Sequence, residues 1–287
     1  MAGELLPGVL HVSARALSTH ALSMFGDHSD VMACRQTGFA ILASNSVQEV
    51  MDLAAVAHLS AIKSRIPFLH FFDGFRTSHE IQKIECLDYK DLEKLADSEE
   101  IAKFRKRALN PEHPVLRGSA QNPDIYFQGR ESSNLFYDKV PGIVEEYMKE
   151  ISKLTGRDYK PFNFYGHPEA ERVVVAMGSV CETAEEVVDY LISKGEKVGL
   201  IKVHLYRPFS VKHLLDVLPQ SANKIAVLDR TKESGSFGEP LFLDIAASVA
   251  ENRHGVTVIG GRYGLGSKDT DPDQIVAVFE NLKAEKP

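Results

Sequence analysis

Hydrophobic positions along this chain alternate between two periods, and each change of period marks an element. Residues 8–13 (GVLHVS) form a short, mostly apolar run of the kind that builds a buried parallel strand. Arg15 follows almost directly. Residues 16–25 read as a short helix closed by Gly26, and residues 27–30 as a polar turn. Residues 31–34 then open a second strand that Gly38 breaks. Ser46-Val47-Gln48-Glu49 has the form of a capping box, and the helix it starts runs to about Lys63. Val47, Val50, Met51, Ala54, His58, Ala61 and Ile62 fall at helical spacing, while Val56, Ala57 and Leu59 fill the other faces, the pattern of a buried helix. Residues 66–73 (IPFLHFFD) are rich in strand formers. They end on Asp73-Gly74, before a polar segment with Arg76, Thr77, Ser78 and His79.

The first two strand ends carry polar groups: Arg15 and Thr19 on one, Arg35, Gln36 and Thr37 on the other. Ligands of open α/β sheets sit at the C-terminal ends of strands. Residues 14–64 are therefore the site-building part of the chain.

Residues 87–137 break the alternation with a charged, proline-punctuated stretch that holds one amphipathic helix at 99–109. So long an excursion reads as a functional or interface arm. A helix follows at 139–155, and 156–169 (GRDYKPFNFYGHPE) reads as a linker. Beyond it strands at 171–178, 197–205, 224–229 and 256–260 alternate with helices at 181–194, 210–218, 238–253 and 271–283. Strand–helix alternation implies parallel sheets with right-handed crossovers. The expectation is an α/β protein of two domains, residues 1–155 and 170–287, each with a largely parallel sheet and helices on both faces.

At 287 residues the chain is long enough for two cores. Forty acidic against 33 basic residues give a net charge of −7, which argues against nucleic acid or an anionic membrane as partner. No apolar run reaches membrane-spanning length. The N-terminal residues lack the basic start and cleavage site of a secretory signal, so the cytoplasm is the expected location. Cys34, Cys86 and Cys181 stand apart with no CxxC, which leaves no ligand set for zinc or an iron–sulfur cluster. No metal site is expected.

Several segments invite chemistry. GGRYGLGSKD (260–269) follows a strand but has neither phosphate-loop spacing, so a turn or interdomain contact is the better reading. RTKESGSFGEP (230–240) precedes a helix whose first N–H groups could take an anion, against the plainer reading of a helix entry. His70 and Asp73 are three apart on one strand and face opposite sides, so they form no pair. Arg15 suits bidentate capture of a small carboxylate; a structural ion pair is the equal alternative.

HVSARALSTHALSMFGDHSDVMACRQTGFAILASNSVQEVMDLAAVAHLSAIKSRIPFLHFFDGFRTSHEI closely resembles the first, pyrimidine-side domain of pyruvate:ferredoxin (flavodoxin) oxidoreductases. MGSVCETAEEVVDYLISKGEKVGLIKVHLYRPFS, LDRTKESGSFGEPLF and GGRYGLGSKD resemble the second, transketolase C-terminal-like domain of the same family. The resemblance implies oxidative decarboxylation of pyruvate to acetyl-CoA and carbon dioxide by thiamine diphosphate with magnesium, the electrons leaving through iron–sulfur clusters to ferredoxin or flavodoxin. It also implies coenzyme A as acyl acceptor and a homodimer. The arginine of the family's ARA motif falls on Arg15, which would hold the pyruvate carboxylate. The chain corresponds to the latter part of the first domain and to the second. The segment with the glutamate that activates the aminopyrimidine, the diphosphate- and magnesium-binding domain and the cluster domains have no counterpart in it, so this chain alone is expected to be inactive. Two other readings stay open: a non-catalytic interaction or assembly module, and a fragment of a related 2-oxo acid oxidoreductase.

Overall fold

The run GVLHVS becomes strand β1 (Val9–Ala14), and IPFLHFFD becomes β3 (Phe68–Asp73), paired with it in parallel so that Ala14 lies opposite Asp73. The computed structural model describes residues 1–287. Between these strands lies α2 (Val47–Ser64), begun by Ser46, whose Oγ accepts the Glu49 N–H at 3.2 Å. The Glu49 carboxylate reaches back to the N–H of Asn45, one residue before the cap. Leu53, Val56, Ala57 and Leu59 are buried. They pack with Val140, Val144, Tyr147, Met148 and Ile151, which line one face of α7 (Val140–Thr155).

Two sequence expectations near β1 are corrected. Residues 16–25 form no helix; they run as an irregular loop that exposes Leu17, Leu22, Met24 and Phe25. No opposing apolar surface covers them, and helices of this length need one. Residues 31–34 are not a strand but lie in α1 (Ser29–Ala33) and the 3₁₀ turn Cys34–Gln36. So short an apolar run fits either element. The strand forms later, as β2 (Ala40–Ala43), after Gly38 turns the chain at φ 85°. Arg35, Gln36 and Thr37 therefore precede β2, away from the C-terminal ends of the strands.

The arm carries α3 (Tyr89–Leu95), α4 (Ser98–Lys106), α5 (Pro123–Ser132) and α6 (Asn134–Tyr137), where a single helix was expected; none of the four contains a buried residue. The second half brings β5 (Arg172–Ala176), α8 (Val180–Ser193), β6 (Val198–Val203), α9 (Val211–Val217), β8 (Lys224–Asp229), α10 (Pro240–Asn252), β9 (Thr257–Arg262) and α11 (Pro272–Asn281). Two further strands were not expected. Within the 156–169 stretch, β4 (Phe162–Gly166) pairs antiparallel with β6. Just past β6, β7 (Leu205–Arg207) leaves its neighbours and pairs antiparallel with β2.

The sheets thus run β1-β3-β2-β7 and β4-β6-β5-β8-β9. The later half supplies an edge strand to the earlier sheet, so β2 keeps no free edge. One core runs through both halves: Ala14, Ile41 and Phe71 share a cluster with Phe162, Val175, Tyr206 and Leu241. No helix is long and apolar enough to cross a membrane.

Candidate active site at the junction of the two sheets

Because Ala14 and Asp73 are register partners, the two residues that follow them, Arg15 and Gly74, emerge side by side at the C-terminal ends of β1 and β3. The Gly74 N–H donates to the Ala14 carbonyl at 3.1 Å. A Cβ on Gly74 would stand 2.2 Å from that oxygen and 2.8 Å from Cδ and Nε of Arg15, so the position admits only glycine. Gly26, at φ 82°, closes the other side, with space for a Cβ only 3.0 Å from Ala14 O and Arg15 Cα. The arginine is wedged between two glycines.

Its surroundings are specific. The guanidinium carbon sits 4.3 Å above the ring of Phe75. Phe75 in turn stacks on His79 at 4.4 Å with a 10° interplanar angle, and meets Phe25 edge-on at 5.0 Å. Nη1 donates to Met24 O at 3.2 Å, while Nε is buried without a partner. Asp30, the near carboxylate, accepts the backbone N–H of Arg15 at 2.9 Å instead of its side chain. Burial raises the Asp30 pKa, against the lowering effect of this hydrogen bond. No carboxylate lies within 4.0 Å of the Arg15 guanidinium.

Below this shelf lies an ionic knot. Asp73 is fully buried, and its carboxylate accepts hydrogen bonds from His28 Nε2, from the backbone N–H of Ser179 at 2.9 Å and from Ser179 Oγ. Arg230 Nη1 meets the same carboxylate at 2.7 Å. Burial alone would raise the Asp73 pKa; His28, Arg230 and Ser179 together hold it far below the carboxylate range. Arg230 continues to Ser267 Oγ at 2.6 Å and Gly264 O at 3.2 Å, and Ser267 Oγ donates to Phe25 O at 2.6 Å. The knot therefore ties the exposed loop beside Arg15 to the second half. A shallow polar cleft of about 370 Å³ opens next to it, lined by Arg76, Ser179, Thr183, Arg230 and Lys268.

The other sequence candidates fall into structural places. Arg35 pairs with Glu233 at 2.6 Å across the two halves, and Thr37 Oγ1 donates to Cys34 O. Thr19 is an exposed residue of the loop and, with Leu17, His20, Leu22 and Ser23, lines an open cleft of about 1290 Å³ that also touches Lys232 and Leu265. The segment 260–269 contacts the earlier half of the chain: Arg76 donates to Ser267 O at 2.9 Å and pairs with Asp269. At the start of α10 the N–H groups of Leu241 and Phe242 are both taken by the Asp229 carboxylate at 3.0 Å, so that helix entry is satisfied from within the chain. His70 and Asp73 do not meet: His70 bonds to His11 and Ser44. Sequence reading did not connect Asp73 with His28, Ser179 and Arg230, which no spacing rule joins. The chain gathers no group of three or more histidine, cysteine, aspartate or glutamate side chains that could hold a metal ion.

Comparison with known proteins agrees with this architecture. A family model described as pyruvate flavodoxin/ferredoxin oxidoreductase, thiamine diP-bdg, matches residues 1–149, and one described as pyruvate:ferredoxin oxidoreductase core domain II matches residues 170–275. The chain is 63% identical over 287 residues to the pyruvate:ferredoxin oxidoreductase of Moorella thermoacetica and 62% identical to the pyruvate-flavodoxin oxidoreductase of Enterobacter agglomerans. Both matches cover 100% of this chain and 24% of the relative, so the chain spans about a quarter of their length. The solved 2-oxoglutarate:ferredoxin oxidoreductase from Magnetococcus marinus, with 2-oxoglutarate, coenzyme A and succinyl-CoA bound, superposes with a TM-score of 0.60 at 14% identity, covering 99% of this chain and 50% of that one. At that identity the likeness speaks for the fold alone. With a family match over more than half its residues, and with identity above 60% along its whole length, the chain belongs to the pyruvate flavodoxin/ferredoxin oxidoreductase, thiamine diphosphate-binding family.

Proposed function

We propose that this chain is the part of a pyruvate:ferredoxin or flavodoxin oxidoreductase that captures the carboxylate of pyruvate, and that Arg15 makes the capture. The observation that carries this reading is the state of Arg15: a guanidinium at the C-terminal end of β1, with a buried, unpartnered Nε and no carboxylate of its own. Two planar N–H···O bonds to a substrate carboxylate would complete it, each charge-assisted and worth about 1.5–3 kcal/mol. Thiamine diphosphate, when bound, supplies a nucleophilic carbon that adds to the ketone carbonyl and takes up the electron pair released with carbon dioxide. The contribution of this chain is to bind and orient the acid.

Magnesium and the iron–sulfur clusters are assigned to other parts of the parent enzyme, an assignment that rests on the resemblance. Coenzyme A as acyl acceptor, ferredoxin or flavodoxin as electron acceptor, a homodimeric assembly and a cytoplasmic location complete the proposal. They rest on the resemblance and on the relatives' names.

The test is Arg15→Ala in the full-length enzyme, assayed with a viologen acceptor. KM for pyruvate should rise about tenfold or more. Unchanged kinetics would remove Arg15 from the site. The purified 287-residue chain alone should give no pyruvate-dependent viologen reduction with added thiamine diphosphate, and sustained reduction would overturn that part.

A further inference from the structure

The stem of Arg15 is enclosed by Gly26 and Gly74, but its guanidinium has few polar partners to hold it. Its one hydrogen bond, 3.2 Å to Met24 O, reaches a loop whose apolar side chains are largely exposed. An unrestrained arginine would lose rotamer freedom worth as much as a good contact each time it bound a substrate. What fixes the guanidinium is the face of Phe75, at 4.3 Å.

The geometry of that contact matters. The ring holds the cation through its face and offers no carboxylate or carbonyl, so the guanidinium N–H donors other than the one on Nη1 that reaches Met24 O are left for a carboxylate. Building the shelf carries a backbone cost. Phe75 lies in the left-handed region at φ 61°, rare for a bulky residue, and Gly74 must lack a Cβ for Arg15 to pass. The turn is secured by the Phe75 N–H, which donates to Ser78 Oγ at 2.9 Å, and the back of the ring is covered by His79. Strain held by several independent contacts at the end of a strand is the mark of a position kept for function.

We propose that Phe75, backed by His79 and admitted by Gly74, is a positioning residue that holds the Arg15 guanidinium edge-on to the substrate carboxylate. The inference rests on the carboxylate-binding reading of Arg15.

The experiment measures steady-state kinetics of the full-length enzyme with pyruvate and a viologen acceptor. Phe75→Leu, which keeps an apolar side chain but removes the ring face, should raise KM for pyruvate about three- to tenfold with kcat within about twofold of the parent. Phe75→Tyr, which keeps the face, should restore the parent KM. His79→Ala should shift KM in the same direction by about two- to threefold, and provides the reading if Phe75→Leu fails to fold. In an Arg15→Ala background, Phe75→Leu should add less than about twofold, because its effect passes through the arginine. If Arg15→Ala raises KM while Phe75→Leu and His79→Ala do not, the positioning role is wrong and the role of Arg15 stands. Multiplicative effects of Phe75→Leu and Arg15→Ala would also overturn the positioning role. If Arg15→Ala leaves KM unchanged, both readings fall.

Discussion

Asp73 and Arg230, from opposite halves of the chain, meet at 2.7 Å with their side chains 0% and 4% exposed. The pair is a seam between two sheets that also share a core and exchange β7. A buried ion pair adds little or nothing to stability against a well-packed apolar substitute, but removal of one partner leaves a charge stranded in a medium of low dielectric.

Arg230→Met should therefore destabilise the chain by about 3 kcal/mol or more in urea unfolding, and Asp73→Leu likewise. Joined in one chain, the two changes should cost clearly less than their sum. Arg35→Ala, which breaks the half-exposed pair with Glu233, should cost about 1 kcal/mol or less. Strict additivity in the Arg230–Asp73 cycle would show that the pair does not act as a unit.

A second prediction concerns pH. His70, inside the first sheet, is linked to His11 at 2.9 Å and to Ser44 at 2.7 Å, and His11 to His58 at 3.0 Å. Burial above all, then the neighbouring His11 and His58, lowers His70 from 6.5 to about 3, with Glu49 opposing them. Between those values the unfolded chain binds a proton that the folded chain refuses, so this group's stabilisation is complete above about pH 6.5 and is lost as the pH falls towards 3. Asp229, raised to about 6 chiefly by burial, acts with the opposite sign below pH 6. The clean measurement is thus a difference: the stability gap between the parent and His70→Asn should shrink by up to about 1.4 kcal/mol for each unit of acidification between about pH 6 and pH 4. A gap independent of pH would mean that His70 takes up its proton without penalty.

A third prediction separates two kinds of glycine. Gly235 lies at φ 86° with open space where a Cβ would go, so Gly235→Ala costs only the backbone strain, about 1 kcal/mol. Gly74 has an ordinary φ, but its Cβ would stand 2.2 Å from the Ala14 carbonyl, a backbone atom unable to move aside. Gly74→Ala should cost about 3 kcal/mol or more and move the Arg15 shelf with it. Equal melting temperatures for the two variants would contradict the close approach of β1 and β3 at Gly74.

How much of this was legible in the sequence follows from the length of each signal. The eighteen-residue helix announced itself by its long single period, and the strands IPFLHFFD and ERVVVAMG by their β-branched and aromatic residues and the glycines that close them. Residues 31–34 had too few positions to choose between helix and strand. β4 was hidden because its aromatic run, Phe162, Phe164 and Tyr165, is short and closely flanked by proline and glycine, and β7 because it continues β6 without a turn signal. Arg15 was visible from its place at a strand end. The knot beneath it was not: Asp73 lies 45 residues from His28 and 106 from Ser179, and only the tertiary fold brings them together.

The stretch that reads as a linker also carries an anchor, and the last prediction tests it. Asp52, on α2, is fully buried, and one of its oxygens accepts both Arg157 Nε and the Tyr159 hydroxyl at 2.7 Å. Residues 157 and 159 follow α7, so these bonds fix the path by which the chain passes from that helix to β4. Burial, then the bond to Asp52, pushes the Tyr159 pKa up, which keeps the phenol protonated and donating at every working pH. Tyr159→Phe removes one hydrogen bond to a charged acceptor and should cost about 1.5–3 kcal/mol. Arg157→Ala removes the countercharge and should cost more, although the arginine, 28% exposed, lets water compensate in part. Urea unfolding of the two variants gives the order directly. A Tyr159→Phe chain as stable as the parent would mean that water or Arg157 satisfies Asp52 unaided, and that the Tyr159 hydroxyl has no part in holding the passage to β4.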